Sequence, residues 1–207
     1  MLNYEQAYFE QGYRLIVGCD EAGRGPLAGP VVAAACILPI EYHNELIDDS
    51  KKLSEKKRKQ LFEEIQLHAI AWGIGMVDAE TIDRINIYQA SRLAMNLAIS
   101  NLRHDFELIL TDAMPLPGYE QPVIDIIKGD AKAMCIAAAS ILAKVTRDEL
   151  MDKLDEMYPQ YGFKNHKGYG TKEHLEALEK YGPIKGVHRY TYAPVAKANI
   201  KQLSIFD

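Results

Sequence analysis

The chain has 207 residues, 48% of them hydrophobic and 26% charged, which is enough to bury a sizeable core and excludes a disordered or fibrous protein. A net charge of −5 excludes attraction to nucleic acid by the surface as a whole, so such contacts must come from local basic clusters. No stretch reaches membrane-spanning length and the N-terminus lacks the basic start and apolar run of a signal peptide, so a cytoplasmic, membrane-free protein of one domain, with monomer as the default, is expected.

Residues 13–20 and 31–38 are apolar runs joined by a Gly/Pro-rich loop, most simply an antiparallel strand pair. Asp20 and Glu21 close the first run. Neighbours on a regular strand point to opposite faces, so these carboxylates converge only if the strand ends or bends between them, and the following glycines are expected to supply that bend. Converged carboxylates repel unless a cation or a shared proton relieves them, and an all-oxygen cluster suits Mg2+ or Mn2+ better than zinc.

Lys51 and Lys52 open the densest basic segment, 51–59, which serves either phosphate contact or a solvated helix face. Ser54 is a suitable N-cap for a helix carrying Leu61, Ile65 and Ala69, and alternation of Trp72, Ile74 and Met76 predicts a third strand extending the same sheet. Asp78 can cap a helical region running to Arg103, with a break signalled at Asn86 and Ser91. Leu108-Ile109-Leu110 then leads to Thr111-Asp112, and Val123-Ile124-Asp125-Ile126-Ile127 to Lys128-Gly129-Asp130, so each acid arrives at a strand end or just beyond.

The alanine-rich segment 133–158 predicts a long helix buried against the sheet and polar after Thr146. Residues 161–171 read as a glycine- and aromatic-rich loop, Thr171 as the cap of a last helix to Lys180, and the tail beyond Pro183 as surface wrapping. Cys19, Cys36 and Cys135 lie in apolar segments without metal-type spacing, which predicts buried thiols in a reducing compartment. Together these elements give an α/β fold with a five-stranded mixed sheet.

Four carboxylates, Asp20, Glu21, Asp112 and Asp130, thus come from separate strand termini that one sheet end could gather. Two ions about 4 Å apart could then activate a water and stabilise the leaving oxygen of a phosphodiester. Spacing alone does not separate these four from Asp105, Asp125 and Asp148.

The stretches Asp20-Glu21-Ala22-Gly23-Arg24-Gly25-Pro26-Leu27-Ala28-Gly29-Pro30, Asp49-Ser50-Lys51-Lys52-Leu53-Ser54, Lys128-Gly129-Asp130, Ile136 through Asp148, and His166-Lys167-Gly168-Tyr169 resemble bacterial ribonuclease HII, in that family's order and over most of the chain. The resemblance implies a ribonuclease H-like fold, a five-stranded mixed sheet flanked by helices, with a small helical C-terminal elaboration over about 160–200. It implies Mg2+- or Mn2+-dependent endonucleolytic cleavage of RNA in RNA–DNA hybrids and 5′ of single ribonucleotides in duplex DNA, leaving 3′-hydroxyl and 5′-phosphate ends. Asp20, Glu21, Asp112 and Asp130 match the family's metal-binding acids, with Asp20 best placed to bridge two ions and the division of the others open. Gly23, Arg24 and Gly25 match the segment that recognises the ribose, and Tyr169 the tyrosine that packs on the adjacent deoxyribose. Lys51 and Lys52 are candidates for phosphate contact.

The chain departs from the family's pattern at Ala113-Met114, where many relatives carry glycine, at Ala131, where serine often stands, and at Gly170, a frequent proline. Gln202-Leu203-Ser204-Ile205-Phe206-Asp207 resembles the short peptide with which replication and repair proteins dock on the bacterial sliding clamp, with Gln202, Leu203, Ile205 and Phe206 as the contacts. Packing of the tail on its own domain is the alternative. Two other readings are a ribonuclease HIII, for which the segment before Asp20 leaves no room for an added domain, and a non-catalytic nucleic-acid binding module, which has no need of four strand-end acids.

Overall fold

A computed structural model describes residues 4–47 and 53–203 of the protein, with the side chains of 201–203 left aside. Lys51, Lys52, Ile205 and Phe206, and the side chains of Gln202 and Leu203, therefore lie outside the described residues. The chain divides into two compact units, the first comprising Met1–Ala22, Val32–Met76 and Ser91–Val145, the second Gly23–Val31, Val77–Ala90 and Thr146–Asp207.

The first unit carries the sheet. Its strands are β1 (Ile16–Ala22), β2 (Val31–Ile37), β3 (Ala71–Val77), β4 (Leu108–Asp112) and β5 (Val123–Ile126), in the order β3-β2-β1-β4-β5. β1 pairs antiparallel with β2 and parallel with β4, which pairs parallel with β5, as a five-stranded mixed sheet requires. One expectation is corrected: β1 does not end or bend between the two acids. It continues through Glu21 and Ala22, held by antiparallel pairing of Asp20 with Ala34, Glu21 with Ala33 and Ala22 with Val32. The glycines begin only after the strand has finished.

Helices lie close on this sheet because small residues line the contact. A Cβ on Gly18 would meet the Cys135 carbonyl carbon at 2.1 Å, and one on Gly75 the Ala94 carbonyl oxygen at 2.0 Å. The long helix α4, numbered after the three helices described next, spans Met134–Met157, and its fully buried Ala137, Ala138, Ala139 and Ala143 pack in a core with Ile47, Leu61 and Ile65. The predicted caps are present. In α2 (Glu55–His68) the Ser54 hydroxyl accepts from the Lys57 N–H, and in α3 (Ala79–Ser100) Asp78 accepts from the Thr81 N–H at 2.7 Å. α3 breaks at Asn86 (φ 65°, ψ 163°), whose side chain then accepts from the Gln89 N–H and restarts the helix. α1 (Gln6–Glu10) has no counterpart in the sequence reading; Glu5, beside it, accepts from the Cys135 N–H at 2.6 Å in the first turn of α4. All three cysteines are buried and free.

The second unit has its own core, including Leu27, Ala28, Met151, Phe163, Leu178 and Val195. Two expectations change here. The supposed loop 161–171 contains α5 (Phe163–His166), preceded by a 3₁₀ turn at Pro159–Tyr161, and the chain beyond Pro183 is not surface wrapping. It buries Val187, His188 and Arg189 and forms α7 (Ala193–Leu203), while α6 (Lys172–Tyr181) is capped by Thr171 as predicted.

Candidate active site

Register brings the acids together. Cys19 lies beside Thr111 in the parallel β1–β4 ladder, so the next residues, Asp20 and Asp112, stand level at the carboxyl ends of adjacent parallel strands. The chain leaves β5 through Lys128 in a left-handed conformation (φ 57°) and enters a 3₁₀ turn at Gly129–Ala131 that holds Asp130. The Gly129 N–H donates to Asp112 Oδ1 at 2.7 Å, tying the Asp130 turn to the end of β4. Ala113, directly after Asp112, is also left-handed (φ 50°), and its N–H donates to the Ile126 carbonyl. Alanine meets this backbone requirement at a cost that glycine would not carry.

Asp20 is 6% exposed and Asp130 is 7% exposed. Burial, then the charge of Glu21, then that of Asp112 push the Asp20 carboxyl well above the usual carboxylate range, against hydrogen bonds from Ser140 and from the Glu21 N–H. The two neighbouring acids therefore interact although the strand between them is regular. Glu21 Oε2 and Asp130 Oδ1 are buried oxygens that take no hydrogen bond, while other atoms of both residues do interact. Of the other acids that spacing alone leaves open, Asp125 lies within β5 and is exposed.

An all-carboxylate donor set fits a hard divalent cation such as Mg2+ or Mn2+. Among the described residues no group of three His, Cys, Asp or Glu side chains is arranged so as to hold a metal ion by itself. Mg2+ does not demand one, since one or two carboxylates with water and substrate phosphate oxygens satisfy it.

In the second unit the loop Gly23–Val31 is held by two buried arginines. Arg147, 1% exposed, donates to the carbonyls of Pro30 (3.0 Å), Lys167 (3.0 Å) and Ala28 (3.1 Å). Burial, reinforced by the charge of Arg189, lowers its pKa to about 10, so it is still charged at neutral pH. Arg189, fully buried, donates to the carbonyls of Gly23, Arg24 and Gly29. Gly23 is left-handed (φ +98°), and a Cβ there would stand 2.1 Å from Arg147 Nε. Tyr169 lies over Gly25, where an added Cβ would meet Tyr169 Cε1 at 3.4 Å, and the residue is 49% exposed. The sequence reading missed Arg189, and it placed Ser140 and Arg147 inside a motif without a role. A lone arginine in a tail carries no local sign that it will be buried 160 residues from its partner Gly29.

The ribonuclease HII family model matches residues 17–195. Ribonuclease HII of Enterococcus faecalis is 55% identical over 195 residues, covering 94% of this chain and 76% of that protein. Ribonuclease HII of Acholeplasma laidlawii is 56% identical over 196 residues, covering 95% and 96%. Among solved structures, ribonuclease H2 from Pyrococcus horikoshii matches with a TM-score of 0.77 at 27% identity, over 90% of this chain and 98% of that one. A ribonuclease HII from Archaeoglobus fulgidus, solved in complex with PCNA, gives 0.72 at 27% identity over 86% and 95%.

Proposed function

The chain belongs to the ribonuclease HII family and is a ribonuclease H, an endonuclease acting on RNA–DNA hybrids, and from that premise we propose that it also cuts 5′ of single ribonucleotides embedded in duplex DNA. The products are 3′-hydroxyl and 5′-phosphate ends, and the task is ribonucleotide removal in replication and repair. The observation that carries the catalytic part is the level placement of Asp20 and Asp112 at the ends of adjacent parallel strands, with Glu21 next in β1 and the Asp130 turn bonded to Asp112.

Asp20, Glu21, Asp112 and Asp130 would hold Mg2+ or Mn2+, two ions during catalysis. When bound, such a pair activates the attacking water and stabilises the leaving oxygen. The repulsion that raises the Asp20 pKa is what a bound cation would relieve.

Gly23, Arg24 and Gly25 read the ribose 2′-hydroxyl. With the Gly23 and Arg24 carbonyls already accepting from Arg189, we assign that contact to the loop's amide N–H groups. The exposed Tyr169 ring over Gly25 supports packing on the adjacent deoxyribose, where an added 2′-hydroxyl would crowd or be left unpaired. Lys51 and Lys52 contact phosphates. The C-terminal residues Gln202, Leu203, Ile205 and Phe206 dock on the sliding clamp, a reading supported by the PCNA complex of the Archaeoglobus relative. Buried free thiols support a reducing, cytoplasmic setting, and no described helix is long and apolar enough to cross a membrane.

The test incubates the protein with Mg2+ or Mn2+ and either a DNA duplex carrying one ribonucleotide or a continuous RNA/DNA hybrid, beside Asp20→Asn, and analyses the ends. Cleavage of both substrates by the native protein, lost in Asp20→Asn, is expected. Cutting of the continuous hybrid alone removes the junction reading, and full activity of Asp20→Asn removes the metal assignment. Loss of clamp binding on deletion of 202–207 tests the tail.

A further inference from the structure

Three histidines of the second unit, His166, His174 and His188, are buried together around Phe163, with the rings of His166 and His174 stacked at 4.6 Å. Nothing in the proposed chemistry uses them. Their hydrogen bonds fix which nitrogen of each ring carries the proton. The Ile184 N–H donates to His188 Nδ1 at 2.9 Å, so in the neutral ring the His188 proton is on Nε2. That N–H faces His174 Nε2 at 3.1 Å, which must accept, and the His174 proton is left on Nδ1, 2.9 Å from the Tyr169 carbonyl oxygen. The bonds therefore run one way, from a backbone N–H through two imidazoles to the carbonyl of Tyr169. His166 makes a second strand of the same device: Nδ1 accepts from the Gly168 N–H at 3.2 Å and Nε2 donates to the Tyr161 carbonyl at 2.8 Å.

Both backbone polar groups of Tyr169 itself are consequently engaged. Its N–H donates to the His166 carbonyl, its carbonyl accepts from the Thr171 N–H as well as from His174, and the Gly168 carbonyl accepts from the Leu27 N–H. A surface aromatic on a glycine-rich turn ordinarily has a mobile backbone; here the peptide is fixed while the ring stays open to a ligand.

We propose that His174 and His188 are positioning residues that set the Tyr169 peptide, and through it the ring, for selection of a ribose–deoxyribose step. The inference deepens the substrate reading of Tyr169 and rests on it. The histidines touch no substrate: they act by denying the tyrosine alternative orientations, so their loss is felt in discrimination between substrates.

The experiment has a spectroscopic and a kinetic arm. In the native protein labelled with 15N-histidine, NMR should find His174 protonated on Nδ1 and His188 on Nε2; the reverse tautomers overturn the relay without any variant having to fold. In the kinetic arm, kcat/KM with Mg2+ is measured on a duplex with one ribonucleotide and on a continuous hybrid, and the ratio is compared among variants. Tyr169→Ala and His174→Phe should each lower the ratio about tenfold, and the double variant should be no worse than Tyr169→Ala. His174→Asn, whose side-chain N–H replaces Nδ1–H toward the Tyr169 carbonyl, should recover most of the loss. A His174→Phe ratio equal to the native one beside a defective Tyr169→Ala overturns the positioning role, as does a double variant whose losses multiply. An unaffected Tyr169→Ala overturns the tyrosine reading itself, and the inference with it, whatever the tautomers.

Discussion

Replacing Arg147 by Met removes three charge-assisted hydrogen bonds from the loop Gly23–Val31 and its neighbour Lys167 while keeping most of the side-chain volume. The three carbonyls differ in what they lose. That of Ala28 belongs to a fully buried residue and is left with a desolvation cost of about 2 kcal/mol, whereas those of Pro30 and Lys167 are partly accessible and lose about 1 kcal/mol each to water. Removing the buried guanidinium gives back part of its own desolvation, about 1 kcal/mol, so a net destabilisation of about 3 kcal/mol is expected. For a chain of this size that lowers the melting temperature by roughly 6–12 °C. The assay is thermal unfolding by circular dichroism, with hydrogen exchange of the Leu27 and Gly29 amides, which bond to Gly168 and Val187, as a local readout. Arg147→Lys keeps the charge but offers a compact ammonium in place of a fork, and should fall between the two. A melting temperature for Arg147→Met within 2 °C of the native protein, equivalent to about 1 kcal/mol or less, would refute the claim that this side chain holds the loop.

Asp20→Asn should abolish most metal-dependent cleavage and, in chelator, melt above the native protein; because the folded carboxyl is raised by burial and by neighbouring acids, its ionised form opposes folding at neutral pH, and a lower melting point would contradict this. Ala113→Gly should stabilise by about 0.5–1 kcal/mol, since relief of a left-handed alanine outweighs the entropy glycine adds to the unfolded chain; a thermal melt that falls rejects the argument. Gly18→Ala drives a Cβ into main-chain atoms of Cys135 and Ile136 at 2.1–2.4 Å that cannot step aside, so a loss of about 3 kcal/mol or more is expected in urea unfolding. Burial holds His174 at about 4 and His188 at about 3, so the unfolded chain takes up protons that the folded one refuses below the ordinary histidine pKa of 6.5. Stability from each is present above pH 6.5 and falls by about 3 kcal/mol on going to pH 4; His174→Phe should flatten that slope, and an unchanged slope would show the histidine is not its source.

Much of the scaffold was readable because its signals are local. Period-two alternation marked Trp72, Ile74 and Met76, side-chain caps marked Ser54, Asp78 and Thr171, and Asn86 announced the break in α3. The level placement of Asp20 and Asp112 was not local: it depends on which strands pair and in what register, which the sequence pattern left open among several acids. The error at Asp20–Glu21 arose from treating convergence as a matter of backbone bending. A long acidic side chain on a regular strand still feels its neighbour, so the strand could continue through Glu21 and Ala22. The second unit was the least legible part. Its stability resides in buried polar groups, Arg147, Arg189 and three histidines, and polar residues in glycine-rich segments read as surface until their acceptors, more than a hundred positions away for Arg147 at Pro30, are known.

The arginines grip the loop only by its peptide carbonyls, Arg24 included, and this has an evolutionary corollary. Main-chain oxygens are the same in every residue, so the anchoring imposes little on side-chain identity outside the glycines that sterics demand. Such a loop is free to change its side chains without its shape being renegotiated. The converse is a warning for reading genomes: a homologue can keep the whole Asp20 to Pro26 signature and yet lose the anchoring of this loop through one inherited change at position 147 or 189, invisible to any inspection confined to the motif.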